Sequence, residues 1–166
     1  KPLDAQGFPP ESADIIFASN VVHAVPDVGL ALRHLRAALR PGGRLFLNEI
    51  TATNDLTTLT FGLTPGWWCF RDEAKRIQHA PLLTAESWQQ ELVGSGFEHI
   101  RVTGLPHPEP KFEQRLVEAV AAETKVEAAA RESVRQAAPV LPDGTSQPVE
   151  GLEESALTYL RQRLGE

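Results

Sequence analysis

The 166-residue chain has no methionine, one cysteine and no long apolar run. A single cysteine, Cys69, excludes an intramolecular disulfide and a cysteine-based zinc site. No apolar stretch approaches the roughly 18 residues of a membrane-spanning helix, and none reads as a secretory hydrophobic region. Lysine and arginine are never denser than pairs and the net charge is −6, so the basic footprint that nucleic-acid binding requires is missing. His34, His79, His99 and His107 stand without partners at ligand spacing, and no metal is expected. The cytoplasm is the default compartment. A chain that opens on Lys1-Pro2 reads as a piece of a longer frame, with the other half of a domain elsewhere. Apolar residues make up 42%, enough for a core, and the length fits about one domain.

Residues 13–51 carry the strongest signal. Residues 14–18 are a short apolar run, the pattern of a central strand. Ser19 and Asn20 follow, and then His23. Val28, Leu32, Leu35 and Leu39 lay one apolar stripe along a helix over 28–39. Arg40-Pro41-Gly42-Gly43 is expected to end that helix, because proline cannot continue it and glycine supplies a left-handed cap. Residues 44–50 form a second strand that closes on Glu49. In open α/β sheets, ligands bind outside the carboxyl ends of the strands, so His23 and Glu49 stand where chemistry would be done. Two readings of His23 stay open on the residues alone: a polar turn residue bonded to backbone, or a general base. Glu49 is either exposed, capping or paired, because an unpaired carboxylate is costly to bury. A carboxylate that accepts a histidine ring N–H fixes the tautomer and leaves the other ring nitrogen to take a proton.

Residues 55–70 follow no single period across their second half. They hold Phe61, Trp67, Trp68 and Phe70 with Gly62, Pro65 and Gly66 between them, which suits either core aromatics or a wall over a pocket. Asp72 just beyond would orient that wall or face water. Thr84 is the N-cap of a helix that ends near Gly94–Gly96, with Glu86 in its first turn. Residues 97–103 alternate as a strand. Residues 112–137 are rich in Ala, Glu and Arg, without Gly or Pro, and read as helix. Residues 139–151 read as a linker, and residues 152–166 as a further helix.

The run SNVVHAVPD, then LRPGGRLFLNEIT, then FGLTPGWW and an Asp, resembles the S-adenosylmethionine-dependent methyltransferase domains of modular type I polyketide synthases, over about residues 8–105. The resemblance implies an α/β fold: part of a class I methyltransferase, with a Rossmann-like sheet and flanking helices, followed by a mainly helical C-terminal tail. Residues 1–110 would be the C-terminal half of the domain, 111–138 a helical extension and 139–151 a linker. Residues 152–166 resemble the opening helix of an acyl carrier protein. Carried onto this chain, the family's general base is His23 and its orienting carboxylate Glu49. Ser19 and Asn20 run beside the cofactor's methionine portion, and Phe61, Trp67 and Trp68 form the substrate wall or lid. Asp4 and Gln6 would border the adenine.

One family element has no counterpart. Such domains bind S-adenosylmethionine through a Gly-rich turn that leads from a first strand into a helix. In this chain Gly42-Gly43 follows a helix instead. The chain is then a fragment, half of a split domain, or a degenerate domain kept for structure. The implied function is methylation of the α carbon of a β-ketoacyl polyketide intermediate on the phosphopantetheine arm of an acyl carrier protein. The alternatives are O-methylation of a hydroxyl or enol, and an inactive scaffold. Implied partners are the carrier protein, the missing N-terminal half and neighbouring synthase domains, with no nucleic acid and no membrane.

Overall fold

The computed structural model describes residues 3–104 and 113–123. After a 3-10 turn at Asp4–Gln6, the elements run β1 (Ala13–Ser19), α1 (Val28–Ala38), β2 (Leu39–Ile50), α2 (Asp55–Phe61), α3 (Ala85–Gly94), β3 (Phe97–Gly104) and β4 (Gln114–Ala121). The strands form one sheet in the order β1-β2-β4-β3. β1 and β2 are parallel, as their helical crossover requires, and β4 runs antiparallel to both its neighbours. No helix among the described residues is long and apolar enough to cross a membrane.

The predicted βαβ unit is present. Asp27 caps α1 by accepting the Leu30 amide at 2.8 Å, and the stripe residues Val28, Leu32 and Leu39 are fully buried. Thr84 caps α3, accepting the Ser87 amide. Both helices pack on one face of the sheet, where Trp88 and Leu92 of α3 join Leu45, Leu47, Val117, Ala119 and Phe97 in the main core. Each fully buried leucine contributes about 1.5–3 kcal/mol.

Three expectations need correction. Residues 40–43 do not form a helix-ending turn with a left-handed glycine cap. The C-cap is Leu39, with extended backbone, and residues 40–43 bulge within β2, between the pairs Ala13↔Leu39 and Ile15↔Arg44. Gly42 takes a φ of +72 there. A Cβ on Gly43 would lie 2.9 Å from the Arg40 carbonyl oxygen, so only glycine fits.

The helical extension predicted for 111–138 is not helical over Gln114–Ala121, which is β4, a central strand between β2 and β3. Val117, Ala119 and Ala121 alternate onto the core face. Alanine and glutamate favour helix locally, but the two open edges of β2 and β3 satisfy a full ladder of backbone groups and outweigh that preference. The domain therefore continues past the boundary expected at residue 110. The rest of the extension, the linker and the 152–166 helix lie outside the described residues.

β1, expected as a central strand, is at an edge of the described sheet, with Ile15 61% and Phe17 65% exposed. Its apolar residues face both ways, the pattern of a strand covered on both faces, and the described helices cover one.

Candidate active site

Strand alternation decides the burial of Glu49. Leu45, Leu47 and Glu49 point to the same core face of β2, so the carboxylate is carried inside and is 0% exposed. A buried carboxylate needs partners, and this one has three. Oε1 accepts the backbone amides of Val21 at 3.2 Å and Val22 at 3.0 Å. Oε2 meets His23 Nδ1 at 2.5 Å. His23 sits in a 3-10 turn, Val22–Ala24, immediately after β1, and is 9% exposed. Of the readings open for Glu49, the structure shows the paired one, with its partner in the turn that follows β1. In the tautomer that donates Nδ1–H to Glu49, Nε2 keeps its lone pair for a proton.

Ser19 and Asn20 are exposed at the tip of β1. Asn20 has a φ of +50, a backbone shape that asparagine tolerates better than most residues. Its amide donates to the Asn48 carbonyl at 2.8 Å, and its Oδ1 accepts the Ile50 amide at 3.2 Å. Asn20 thus ties the ends of β1 and β2 on either side of Glu49. Ser19 Oγ accepts from Asn48 Nδ2 at 3.1 Å. Asn48 Oδ1 is buried and has no partner among the described residues.

The aromatic residues divide. Trp67 is buried in a second, smaller core with Ala80 and Leu82, against Ile50 and Ile77. Phe61 lies parallel to it, with 6.4 Å between ring centroids. Phe61 and Trp68 are more than half exposed. Trp68 Nε1 donates to the Gly62 carbonyl at 2.9 Å, which folds the turn after α2 back on itself. An apolar groove of about 600 Å³ runs past the base-bearing loop, lined by Leu3, Val21, Val22, Val25, Leu30 and Leu35. Asp4 lines a smaller cavity beside α1 with Phe8 and His34, apart from the His23–Glu49 pair. No cluster of metal-binding side chains occurs among the described residues.

Sequence reasoning missed Arg76. Its guanidinium donates to the carbonyls of His23 at 2.6 Å, Pro81 at 2.5 Å and Val25 at 3.0 Å. Its Nε pairs with Asp72 Oδ1 at 2.7 Å. Asp72 Oδ2 accepts the Val28 amide at 2.8 Å. Burial pushes the Asp72 carboxyl up, but the hydrogen bonds from Arg76 and Val28 and the Arg76 charge outweigh it and hold the group below its ordinary value. The only sequence signal was an Asp and an Arg four residues apart.

Comparison with known proteins places the chain in a family. A family model described as a methyltransferase domain matches residues 3–102. The polyketide synthase ThaQ of Burkholderia thailandensis is 41% identical over 100 residues, 60% of this chain and 5% of that protein. Among solved structures, the CurJ carbon methyltransferase superposes with a TM-score of 0.66 at 36% identity, covering 74% of this chain and 33% of that one. The trans-methyltransferase CalH, solved in complex with SAH, gives 0.65 at 32% identity, covering 74% and 34%. The chain therefore spans a small part of that synthase and about a third of those methyltransferases.

Proposed function

The chain belongs to the methyltransferase-domain family, in the form that polyketide synthases carry, and from that premise we propose that it supplies the acceptor-side half of a site that methylates polyketide intermediates. The methyl donor is S-adenosylmethionine, and the acceptor is the α carbon of a β-ketoacyl chain on a carrier protein. The observation that carries this reading is the 2.5 Å contact between His23 Nδ1 and Glu49 Oε2 at the carboxyl ends of two parallel strands. His23 Nε2 takes the proton from the carbon between the ketone and the thioester. That frees an electron pair on the carbon for the methyl group that a bound donor would supply, with a neutral thioether as the leaving group. General-base assistance of this kind is worth about 10²–10⁴-fold. The name of the CurJ neighbour, a carbon methyltransferase, supports carbon over oxygen as the acceptor.

The bound donor would supply an electrophilic sulfonium methyl. The described residues fit its methionine end. Ser19 and Asn20 are exposed beside the pair, and Asn48 Oδ1 is an orphaned buried acceptor that an ammonium group would satisfy. The Gly-rich turn for the adenosine end is not in this sequence. Two further features fit a half-domain: the relatives extend well beyond the matched stretch, and the described residues leave the apolar outer side of β1 uncovered.

The test is His23→Ala in the parent synthase polypeptide, with a carrier-bound β-ketoacyl substrate and labelled donor. Transfer to the α carbon should fall by about 10²–10⁴-fold while the polypeptide stays folded. Unchanged transfer would remove His23 from the mechanism. Label on oxygen would reassign the acceptor.

A further inference from the structure

We infer that Arg76 and Asp72 form a positioning clamp for the base, holding the backbone of the His23 turn that Glu49 does not reach. The inference rests on the proposed role of His23. Glu49 fixes the imidazole and the two amides before it, but nothing in that set fixes the backbone that follows. The Arg76 guanidinium does. One fork grips the His23 carbonyl, the next grips the Val25 carbonyl, and Nε is held by Asp72. Asp72 in turn holds the first amide of α1. The Arg71 amide adds a bond to the Pro26 carbonyl at 2.8 Å. His23, Val25, Pro26 and Val28 are thus each stitched to residues 71–76.

The Arg76 side chain is 1% exposed and that of Asp72 8%, and all the partners named above are protein groups. The clamp's chemistry suits rigid alignment. A planar guanidinium presents its donors in a fixed fork, whereas an ammonium cannot hold several carbonyls and a carboxylate in one geometry. Misplacement of a reacting group by about 1 Å can cost on the order of 10²-fold in rate. The same segment carries Ile77, which packs on Trp67 in the small core. The clamp thus links the base to the aromatic region that could cover it.

The experiment compares Arg76→Lys, Asp72→Asn and the double variant in the parent synthase polypeptide. Methyl transfer is read per folded molecule, with the folded fraction taken from thermal melts and size exclusion. Arg76→Lys should lower kcat by about 10–10²-fold with KM for donor and acceptor unchanged. The double variant should be no worse than the weaker single one, because the two residues act as a unit. Should Arg76→Lys fail to fold, Asp72→Asn decides, since it removes only one charge from the clamp. A clamp that is merely structural would lower the melting temperature and leave kcat per folded molecule at the wild-type value, and that result overturns the inference. His23→Ala in the same assay separates the two ideas. If it is active, the base assignment has failed. If it is inactive while both clamp variants turn over normally, only the clamp has failed.

Discussion

Replacement of Glu49 by glutamine changes the charge of the buried partner and almost nothing of its shape. The Val21 and Val22 amides can only donate, so the glutamine carbonyl oxygen must stay with them, in the place of Oε1. The carboxamide NH₂ then faces His23 Nδ1, where Oε2 was. Two donors cannot share that contact. The imidazole must move its proton to Nε2, which presents the substrate with an N–H in place of a lone pair. The expected loss is that of the general base, about 10²–10⁴-fold in kcat, or about 2.7–5.4 kcal/mol on the barrier. Stability should change far less. Each of three charge-assisted hydrogen bonds weakens by about 1 kcal/mol, and relief from burying a charge, itself worth several kcal/mol, offsets the sum. Glu49→Ala is the poorer test, because it strands two buried amides at about 1–3 kcal/mol each and loses the fold along with the base. The assay follows methylated carrier-bound product by intact mass in the parent polypeptide, beside a thermal melt of the same sample. A folded Glu49→Gln protein with wild-type turnover would refute the reasoning that His23 acts through this tautomer.

Two other outcomes test the fold around the site. Asp72 is held below its ordinary value of 3.8 in the folded state, so the stability it contributes is present above that value and is lost as pH falls through the lowered one. Thermal melts should therefore show wild type losing stability below about pH 4 more steeply than Asp72→Asn, and parallel acid limbs would contradict the ion pair. Ala119 is 2% exposed on the core face of β4. Ala119→Glu should cost about 3–5 kcal/mol in urea unfolding, as an unpaired buried charge. On a solvated helix the same change would cost within about 0.5 kcal/mol.

The site was more legible in the sequence than the sheet around it. The strand ends marked His23 and Glu49 as candidates and left their roles open until the resemblance, because the carboxyl-end rule is local and nearly independent of the rest of the fold. Thr84 as a cap was legible for the same reason. β4 was not, because its pairing with β2 and β3 is set by two strands far away in sequence. The string QRLVEAVA shows its period of two only if alanine counts as a core residue. Arg76 escaped for a related reason. Besides Asp72, its acceptors are main-chain carbonyls, which leave no side-chain signature, and the residues that supply two of them lie about fifty positions earlier.

These two blind spots bear on one piece of chemistry. Seven pairs run from Arg44↔Val120 to Ile50↔Gln114, and they include Glu49↔Arg115. β4 therefore braces the strand that carries the carboxylate on the side away from β1. The Arg76 fork braces the turn that carries the imidazole through the His23 carbonyl. A hydrogen bond of 2.5 Å between a buried side chain on a turn and another on a strand requires that neither backbone yield. Local sequence can nominate a base and its partner, but the distance between them is held by contacts remote in sequence. For that reason the Ala119 and Arg76 substitutions, neither of which touches the reacting atoms, are expected to reach the same 2.5 Å contact from opposite ends.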